Sequence, residues 1–213
     1  MQRRPQIKIC GITRVEEAAF LNEIQAEYAG FVFWEKSRRN VPIEKAEEIR
    51  RHLQKNIKSV AVTVSPDLEL LRKIEQSGFD LIQIHGCLRK EILENSRIAI
   101  WQACNLKETE DLKKLIPHEN IRGYVLDAGT AGGGRTFDWQ SSKEAVQQAK
   151  TEYFAGKTFV LAGGLHPGNV SEAVRIFSPD VVDVSSGVES EGGKERRIIL
   201  EFAEKARNSE RTC

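Results

Sequence analysis

Short apolar runs alternate with longer segments of helical period from one end of the chain to the other. The runs are rich in Ile, Val, Leu, Phe and Ala, which is typical of strands that are buried on both faces. The pattern predicts eight strands: Ile7–Cys10, Tyr28–Trp34, Lys58–Val64, Leu81–His85, Ile98–Gln102, Gly123–Asp127, Thr158–Ala162 and Val181–Ser185.

Apolar residues in the intervening segments recur at the i, i+3, i+4 spacing of an amphipathic helix. Three such stripes are Ala46, Ile49 and Leu53; Leu68, Leu71 and Ile74; and Val170, Ala173, Val174 and Phe177. Pro42, Pro66 and Pro167 stand near the predicted helix starts, where the missing N–H of proline costs nothing. We therefore expect a helix after each strand.

A regular alternation of strands and helices requires a parallel sheet, because each helix returns the chain to the start of the next strand. Eight units in 213 residues leave about 27 residues for each, which suits a (βα)8 or TIM barrel without insertions. An open doubly wound sheet would favour Gly-x-Gly-x-x-Gly after its first strand, and Cys10-Gly11-Ile12-Thr13 is not such a turn. The sequence thus predicts an α/β fold with one (βα)8 barrel domain over residues 1–213.

The charge of the chain is almost balanced, with 32 Lys and Arg against 31 Asp and Glu and a formal net charge of +1. Such a chain offers no broad basic field, so we expect no nucleic-acid partner and a local site for any anion. No apolar run approaches the roughly 20 residues that span a bilayer, so we expect no membrane insertion. The four cysteines form no Cys-x-x-Cys pair and the basic N-terminus lacks an apolar core, which predicts a cytoplasmic protein with reduced thiols.

Glycines follow both of the last two predicted strands, in Ala162-Gly163-Gly164-Leu165 and in Ser185-Ser186-Gly187-Val188. Glycine lets the backbone approach an anion closely, and N–H groups of a turn or helix start bind phosphate without a charged side chain. A lone Gly-Gly pair would more simply turn the chain. Two such loops after strands seven and eight of a barrel predict a phosphate site at Gly163, Gly164, Ser186 and Gly187.

Cys10 ends the first predicted strand and Asp127 ends the sixth, so both belong to the barrel rim that carries chemistry. A thiol becomes a useful base when a cation or helix N-terminus lowers its pKa, and a carboxyl in a dry pocket can keep a proton to donate. Taken singly, Cys10 could be a small buried apolar residue and Asp127 could cap a turn. Together they are candidates for a general base and a general acid.

Several motifs at the strand ends, in this order, resemble those of the phosphoribosylanthranilate isomerase family. They are Lys8-Ile9-Cys10-Gly11-Ile12-Thr13, Gly30-Phe31-Val32-Phe33, Gln83-Ile84-His85-Gly86, Leu126-Asp127 ahead of Gly132 to Trp139, Leu161 to Leu165, and Asp183 to Glu189. The chain departs from the family pattern at Ser37-Arg38-Arg39, where Ser-Pro-Arg is more common, and at Gly132 to Arg135 in the sixth loop.

This resemblance implies an Amadori rearrangement in tryptophan biosynthesis, without cofactor or metal, on a small phosphorylated substrate. It implies that Asp127 is the general acid and Cys10 the general base. It also places Arg39 at the anthranilate carboxylate, with Arg38 as a competitor for that contact, and His85 at the end of the fourth strand is a candidate substrate-binding residue. The family includes both monomers and homodimers.

Three other functions are compatible with the fold. A histidine-pathway aminoaldose isomerase would use two carboxylates, with Asp expected where Cys10 stands. Indole-glycerol-phosphate synthase would need lysines at strand ends, and Cys10, Val64 and Asp127 offer none. A non-catalytic barrel that still binds phosphate would be expected to lose its acid or base first, yet both are present.

Overall fold

The computed structural model describes residues 4–105, 109–127 and 139–209. Eight parallel strands close into a barrel in chain order, with β1 hydrogen-bonded to both β2 and β8. The strands are β1 (Gln6–Cys10), β2 (Tyr28–Phe33), β3 (Lys58–Val64), β4 (Leu81–His85), β5 (Ala99–Asn105), β6 (Ile121–Asp127), β7 (Thr158–Ala162) and β8 (Val181–Val184). The predicted (βα)8 fold class is confirmed.

Seven α-helices lie within the described ranges, together with a 3₁₀ helix at Thr109–Lys114 in the fifth unit and a second one at Ser186–Val188. The α-helices are α1 (Val15–Glu23), α2 (Ile43–Arg50), α3 (Leu68–Gln76), α4 (Lys90–Asn95), α5 (Trp139–Glu152), α6 (Val170–Phe177) and α7 (Arg196–Arg207). The expectation of a helix after every strand thus needs one correction, because Thr109–Lys114 is 3₁₀ rather than α.

A short antiparallel hairpin of β9 (Glu189–Ser190) and β10 (Gly193–Lys194) fills the connection between β8 and α7. It pairs Glu189 with Lys194 directly across the two strands. The strand-like sequence pattern did not predict this element, because two-residue strands are too short to show a period.

The helical stripes pack against the outside of the barrel. All four residues of the Val170 to Phe177 stripe are buried in α6, as are Leu71 and Ile74 in α3. The side chain of Asp67 accepts a hydrogen bond from the N–H of Leu70 at 2.8 Å and so caps α3. Leu53 lies beyond the end of α2, although it still packs against the core.

The interior of the barrel is a second core, formed by the inward-facing residues of the strands. It contains Tyr28, Val60, Val62, Leu81, Trp101, Ala103, Val125, Val160, Ala162 and Val181. Successive residues of a strand point to opposite faces, so residues two positions from these also face inward. By this alternation, the inward-facing residues also include Lys8, Cys10, Gln83, His85 and Asp127.

Candidate active site

The first and sixth strands end in the two candidate catalytic residues at one rim of the barrel. Cys10 is the last residue of β1 and packs against the interior core. Asp127 is the last residue of β6, two positions after the interior residue Val125 and level with Asn105 of β5 and Ala162 of β7. Cys10 and Asp127 therefore face the same mouth from strands that β7 and β8 separate.

The thiol of Cys10 lies beside a buried lysine. A β-carbon on Gly30 would come within 2.9 Å of the Cys10 Sγ atom and 3.2 Å of the Lys8 Nζ atom, so both polar groups share the space that this glycine leaves. Burial raises the pKa of Cys10, and the charges of Lys8 and Lys194 oppose that rise. A cation or a helix N-terminus that lowers this pKa was the condition under which the sequence made Cys10 a candidate base. The cation is present, but desolvation is the larger effect.

Lys8 is also one half of an ion pair inside the barrel. Its ammonium donates to the Asp183 carboxylate at 2.7 Å, and the two side chains are 0% and 5% exposed. Burial alone would lower the pKa of Lys8, but the charges of Asp183 and Cys10 outweigh it and raise the pKa. Among the described residues, the second carboxylate oxygen of Asp183 is buried without a hydrogen-bond partner. Asp183 thus lies in the barrel interior.

His85 takes part in a separate polar chain on the Asp127 side of the mouth. Its Nε2 atom lies 2.9 Å from the Gln83 Nε2 atom, and its Nδ1 atom lies 3.4 Å from the Asn105 Oδ1 atom. An amide nitrogen can only donate, so Nε2 accepts and the ring proton belongs on Nδ1. Burial lowers the pKa of His85, against a smaller opposing effect of the Asp127 charge. Burial therefore favours the neutral form of this imidazole, which lies near Asp127.

The two glycine-bearing loops have backbone conformations and contacts that favour glycine. Gly163 and Gly164 have φ angles of +86° and +65°, in the region where a side chain is strained. Gly187 lies in the 3₁₀ turn after β8, where a β-carbon would come within 1.9 Å of the Leu165 carbonyl oxygen. The loops after β7 and β8 are thus packed together. The predicted phosphate-binding residues Gly163, Gly164, Ser186 and Gly187 all belong to this pair of loops.

Arg39 reaches the same rim from the loop between β2 and α2. Its Nε and Nη2 atoms donate to the two oxygens of Glu189 at 2.6 and 2.7 Å. Arg38 also donates to Glu189 at 2.7 Å, but its side chain is 72% exposed whereas that of Arg39 is 22% exposed. Of the two arginines that the sequence offered, Arg39 is the more buried and is bound to Glu189 through two nitrogen atoms.

The sequence assigned no role to Lys8, Glu189 or Lys194, and the structure places all three at or below this rim. Lys8 is two residues before Cys10 in the same strand, so the two-residue period alone puts it on the same face. Glu189 and Lys194 flank Gly192-Gly193, a pair of glycines typical of a hairpin turn. Both signals were therefore present in the sequence.

Part of the expected site lies outside the described residues. The sixth-loop motif from Gly132 to Asp138 falls in the range 128–138. Its departure from the family pattern therefore lies outside the described residues. Within the described ranges, no three His, Cys, Asp or Glu side chains are grouped so that they could hold a metal ion. No helix in those ranges is both long and apolar enough to cross a membrane.

Known proteins of one family match nearly the whole chain. The family model described as N-(5'phosphoribosyl)anthranilate (PRA) isomerase matches residues 7–205. The N-(5'-phosphoribosyl)anthranilate isomerase of Thermoanaerobacter sp. is 37% identical over 208 residues, which cover 95% of this chain and 98% of the relative. The enzyme of Clostridium kluyveri is 38% identical over 205 residues, with the same shares of each chain covered.

Solved structures extend the same similarity to three dimensions. The phosphoribosyl anthranilate isomerase of Thermotoga maritima superposes with a TM-score of 0.83 at 32% identity, covering 95% of this chain and 98% of the other. A structure of such an isomerase in complex with reduced 1-(o-carboxyphenylamino)-1-deoxyribulose 5-phosphate gives a TM-score of 0.80 at 30% identity and the same coverage. The chain belongs to the N-(5'-phosphoribosyl)anthranilate isomerase family.

Proposed function

We propose that this chain converts N-(5-phosphoribosyl)anthranilate to 1-(2-carboxyphenylamino)-1-deoxyribulose 5-phosphate, the Amadori rearrangement of tryptophan biosynthesis. The observation that carries the proposal is the placement of Cys10 and Asp127 on the inward face at one rim, beside the paired loops after β7 and β8. A base and an acid on different sides of one anion-binding mouth suit an isomerisation that moves protons at two atoms of a phosphosugar.

Asp127 acts first, as the general acid. Its carboxyl proton passes to the furanose ring oxygen, the bond from that oxygen to C1′ breaks, and the nitrogen lone pair forms the C1′=N bond of a protonated Schiff base. Asp127 is left as a carboxylate. Asp127 stands half-buried at the end of β6, on the inward face of the barrel and close to His85, and from this position it can reach the ring oxygen.

Cys10 acts second, as the general base. Its thiolate removes the C2′ proton, the electron pair of that C–H bond becomes the C1′=C2′ bond of an enolamine, and the Schiff-base nitrogen becomes neutral. The enolamine then gains a proton at C1′ and loses its hydroxyl proton to become the ketone. Lys8 is the cation that stabilises the thiolate in this dry interior, because its Nζ atom lies beside the sulfur.

Two anion sites hold the substrate while Asp127 and Cys10 act on it. The phosphate is bound by backbone N–H groups of the loops that contain Gly163, Gly164, Ser186 and Gly187. The anthranilate carboxylate is bound by Arg39, whose planar guanidinium matches a carboxylate in shape. His85 lies at the Asp127 side as a neutral group that contacts the substrate. No cofactor or metal is part of the proposed mechanism.

We place the protein in the cytoplasm as a monomer or homodimer. The described cysteines Cys10, Cys87 and Cys104 are all unpaired, which suits a reducing compartment. The isomerase of Thermotoga maritima is described as dimeric.

A coupled assay tests the proposal. Anthranilate and phosphoribosyl pyrophosphate are condensed freshly, the purified protein is added, and the loss of substrate fluorescence is followed. We expect rapid loss with wild type and with Cys87→Ser, which alters an exposed thiol. Asp127→Asn and Cys10→Ser should each lower kcat by about 10²- to 10⁴-fold. Wild-type rates in both variants would overturn the assigned roles, and no turnover by folded wild type would overturn the function.

A further inference from the structure

The carboxylate of Glu189 is the meeting point of three cations at the barrel rim. Arg39 donates to it through two nitrogen atoms at 2.6 and 2.7 Å, Lys194 at 2.7 Å and Arg38 at 2.7 Å. The side chain of Glu189 is 11% exposed and that of Lys194 is 1% exposed, so these contacts are only slightly accessible to water. One negative charge against three positive charges leaves this cluster with a formal surplus of +2.

The cluster is tied to the phosphate loop and to the strand of the proposed base. The Lys194 ammonium donates to the Ser185 carbonyl oxygen at 3.1 Å and approaches its hydroxyl oxygen at 3.3 Å. The hydroxyl of Ser185 in turn donates to the Cys10 carbonyl oxygen at 2.9 Å. A continuous chain of hydrogen bonds therefore joins the end of β1, the start of the loop after β8, and Glu189.

A second anchor fixes the hairpin from the side of α1. The buried carboxylate of Glu17 accepts the backbone N–H of Lys194 at 3.2 Å and that of Thr13 at 2.8 Å. The loop after Cys10 and the strand β10 thus share one carboxylate. Lys194 is held at its backbone and at its ammonium, so the position it gives to Glu189 is rigid.

Arg39 is held against the end of β1 by its aliphatic stem. A β-carbon on Gly11 would lie 2.3 Å from the Arg39 Cδ atom, and the φ angle of Gly11 is +77°. Glu189 then takes the Nε and Nη2 side of the guanidinium. Within the described part of the chain, no protein group accepts a hydrogen bond from Nη1, so that side of the planar fork is left for a ligand.

We propose that Glu189, supported by the buried Lys194, is a positioning residue that fixes the Arg39 guanidinium so that its remaining N–H groups receive the carboxylate of the substrate. This inference rests on the proposed function, because it takes the aromatic carboxylate as the ligand of Arg39. Glu189 does not touch the substrate in this account. Its effect is to pre-organise Arg39, whose long side chain would otherwise lose rotamer freedom on binding.

The test compares two inhibitors that differ only in the carboxylate. Reduced 1-(o-carboxyphenylamino)-1-deoxyribulose 5-phosphate and the same compound without its carboxyl group are titrated calorimetrically into wild type and variants. Glu189→Gln should weaken binding of the carboxylated inhibitor by about 10- to 100-fold, the value of a well-placed charge-assisted hydrogen bond. Its affinity for the inhibitor without the carboxyl group should stay within about twofold of wild type, because the phosphate loops are unchanged. In turnover, KM should rise much more than kcat falls.

Two further variants separate the positioning effect of Glu189 from the mere loss of a negative charge and from a failure to fold. Glu191→Gln removes the same charge from the exposed turn of the same hairpin and should leave both affinities unchanged. Glu189→Asp keeps the charge that Lys194 needs, but its shorter side chain cannot reach both Arg39 nitrogens. It should lose part of the affinity for the carboxylated inhibitor, at least about threefold. If Glu189→Gln does not fold, the Glu189→Asp result decides alone.

Three outcomes would overturn the proposal. The first is unchanged or tighter binding of the carboxylated inhibitor by Glu189→Gln. Glu189 would then either have no effect on Arg39 or compete with the substrate carboxylate for it. The second is an equal loss for both inhibitors, which would indicate general damage to the site. The third is no preference of wild type for the carboxylate, which would remove the role of Arg39. Binding is measured without turnover, so these outcomes are distinct from failure of the isomerase assay.

Discussion

Two groups of charges lie on the β1 and β8 side of the barrel, and they differ in their balance and in their access to water. Inside the barrel, Lys8 and Asp183 form a one-to-one pair with exposed fractions of 0% and 5%. At the rim, Glu189 faces several cations, of which Arg39 is 22% exposed. The charges of the interior pair cancel, whereas the rim cluster keeps surplus positive charge. The interior pair is therefore suited to changing the pKa of a neighbouring thiol, and the rim cluster is suited to binding an anion.

The largest effect on stability should follow from breaking the interior pair. Lys8→Met leaves Asp183 buried without its counter-charge and should lower the free energy of unfolding by about 3–5 kcal/mol. Adding Asp183→Asn should recover a substantial part of that loss, because no uncompensated charge remains. Urea unfolding of the single and double variants measures both values. A decrease in the free energy of unfolding below about 1 kcal/mol for Lys8→Met would show that water screens the pair more than its burial indicates.

A smaller effect is expected at the rim, where it depends on pH. Burial would raise the pKa of Glu189, but hydrogen bonds from Arg39 and Lys194 and their charges lower it from the ordinary 4.5 to about 2. A lowered pKa means that the charged form stabilises the fold. This contribution is complete above about pH 4.5 and is lost as the pH falls toward 2.

Glu189→Gln tests that dependence. At pH 7 it should cost about 1–3 kcal/mol, because Lys194 keeps its burial but loses its charged partner. The difference from wild type should shrink as the pH falls through the range from about 4.5 to about 2. Urea midpoints at a series of pH values give the curve, with Glu191→Gln as the control. A difference that stays constant down to pH 2 would contradict the proposed charge network.

The thiol next to Lys8 should titrate above the ordinary range. Burial raises the pKa of Cys10 more than Lys8 and Lys194 lower it. The rate of Cys10 alkylation by iodoacetamide should therefore still be rising with pH above about 8.5, the usual midpoint for a thiol. Peptide mass spectrometry follows the reaction site by site, and the exposed Cys87 reports that the reagent is active. A plateau of Cys10 labelling below pH 8 would mean that the lysines outweigh burial.

The smallest predicted signal is the state of His85. Its pKa is lowered by burial, so the ring should stay neutral at pH 7 with its proton on Nδ1. Nitrogen chemical shifts of the labelled histidine report the tautomer directly. A charged ring, or a proton on Nε2, would mean that Gln83 presents its oxygen rather than its nitrogen to the histidine.

Most of the fold could be predicted from the sequence, because each strand is a compact apolar run. The eight predicted strands are all present. Three of them, Lys58–Val64, Leu81–His85 and Thr158–Ala162, have both ends where they were predicted. The clearest shift is in β5, which continues to Asn105 rather than ending at Gln102. Its last residue, Asn105, is polar and does not continue the apolar run, but pairing with Asp127 of β6 extends the strand to it.

The residues themselves predicted candidate positions at the strand ends and in the glycine-bearing loops after them, whereas Arg39 was named only through the family resemblance. Cys10 and Asp127 followed from the rim rule for barrels, since any strand-terminal residue must lie there. The partners of Arg39 did not follow, because Glu189 is 150 residues away in sequence. Contacts across such a separation depend on how the barrel closes, which leaves no local pattern in the sequence. The Gly192-Gly193 pair could indicate the hairpin but not the residue that Glu189 contacts.

The most direct test of the central claim is to modify Cys10 and measure turnover on the same sample. The protein is treated with iodoacetamide for increasing times, the modified fraction of Cys10 and of Cys87 is read by mass spectrometry, and the isomerase rate is measured at each time. We predict that the rate falls in proportion to the fraction of unmodified Cys10, whatever the state of Cys87. Reduced 1-(o-carboxyphenylamino)-1-deoxyribulose 5-phosphate should protect both the Cys10 thiol and the isomerase rate. Full activity with Cys10 completely alkylated would contradict its role as the base.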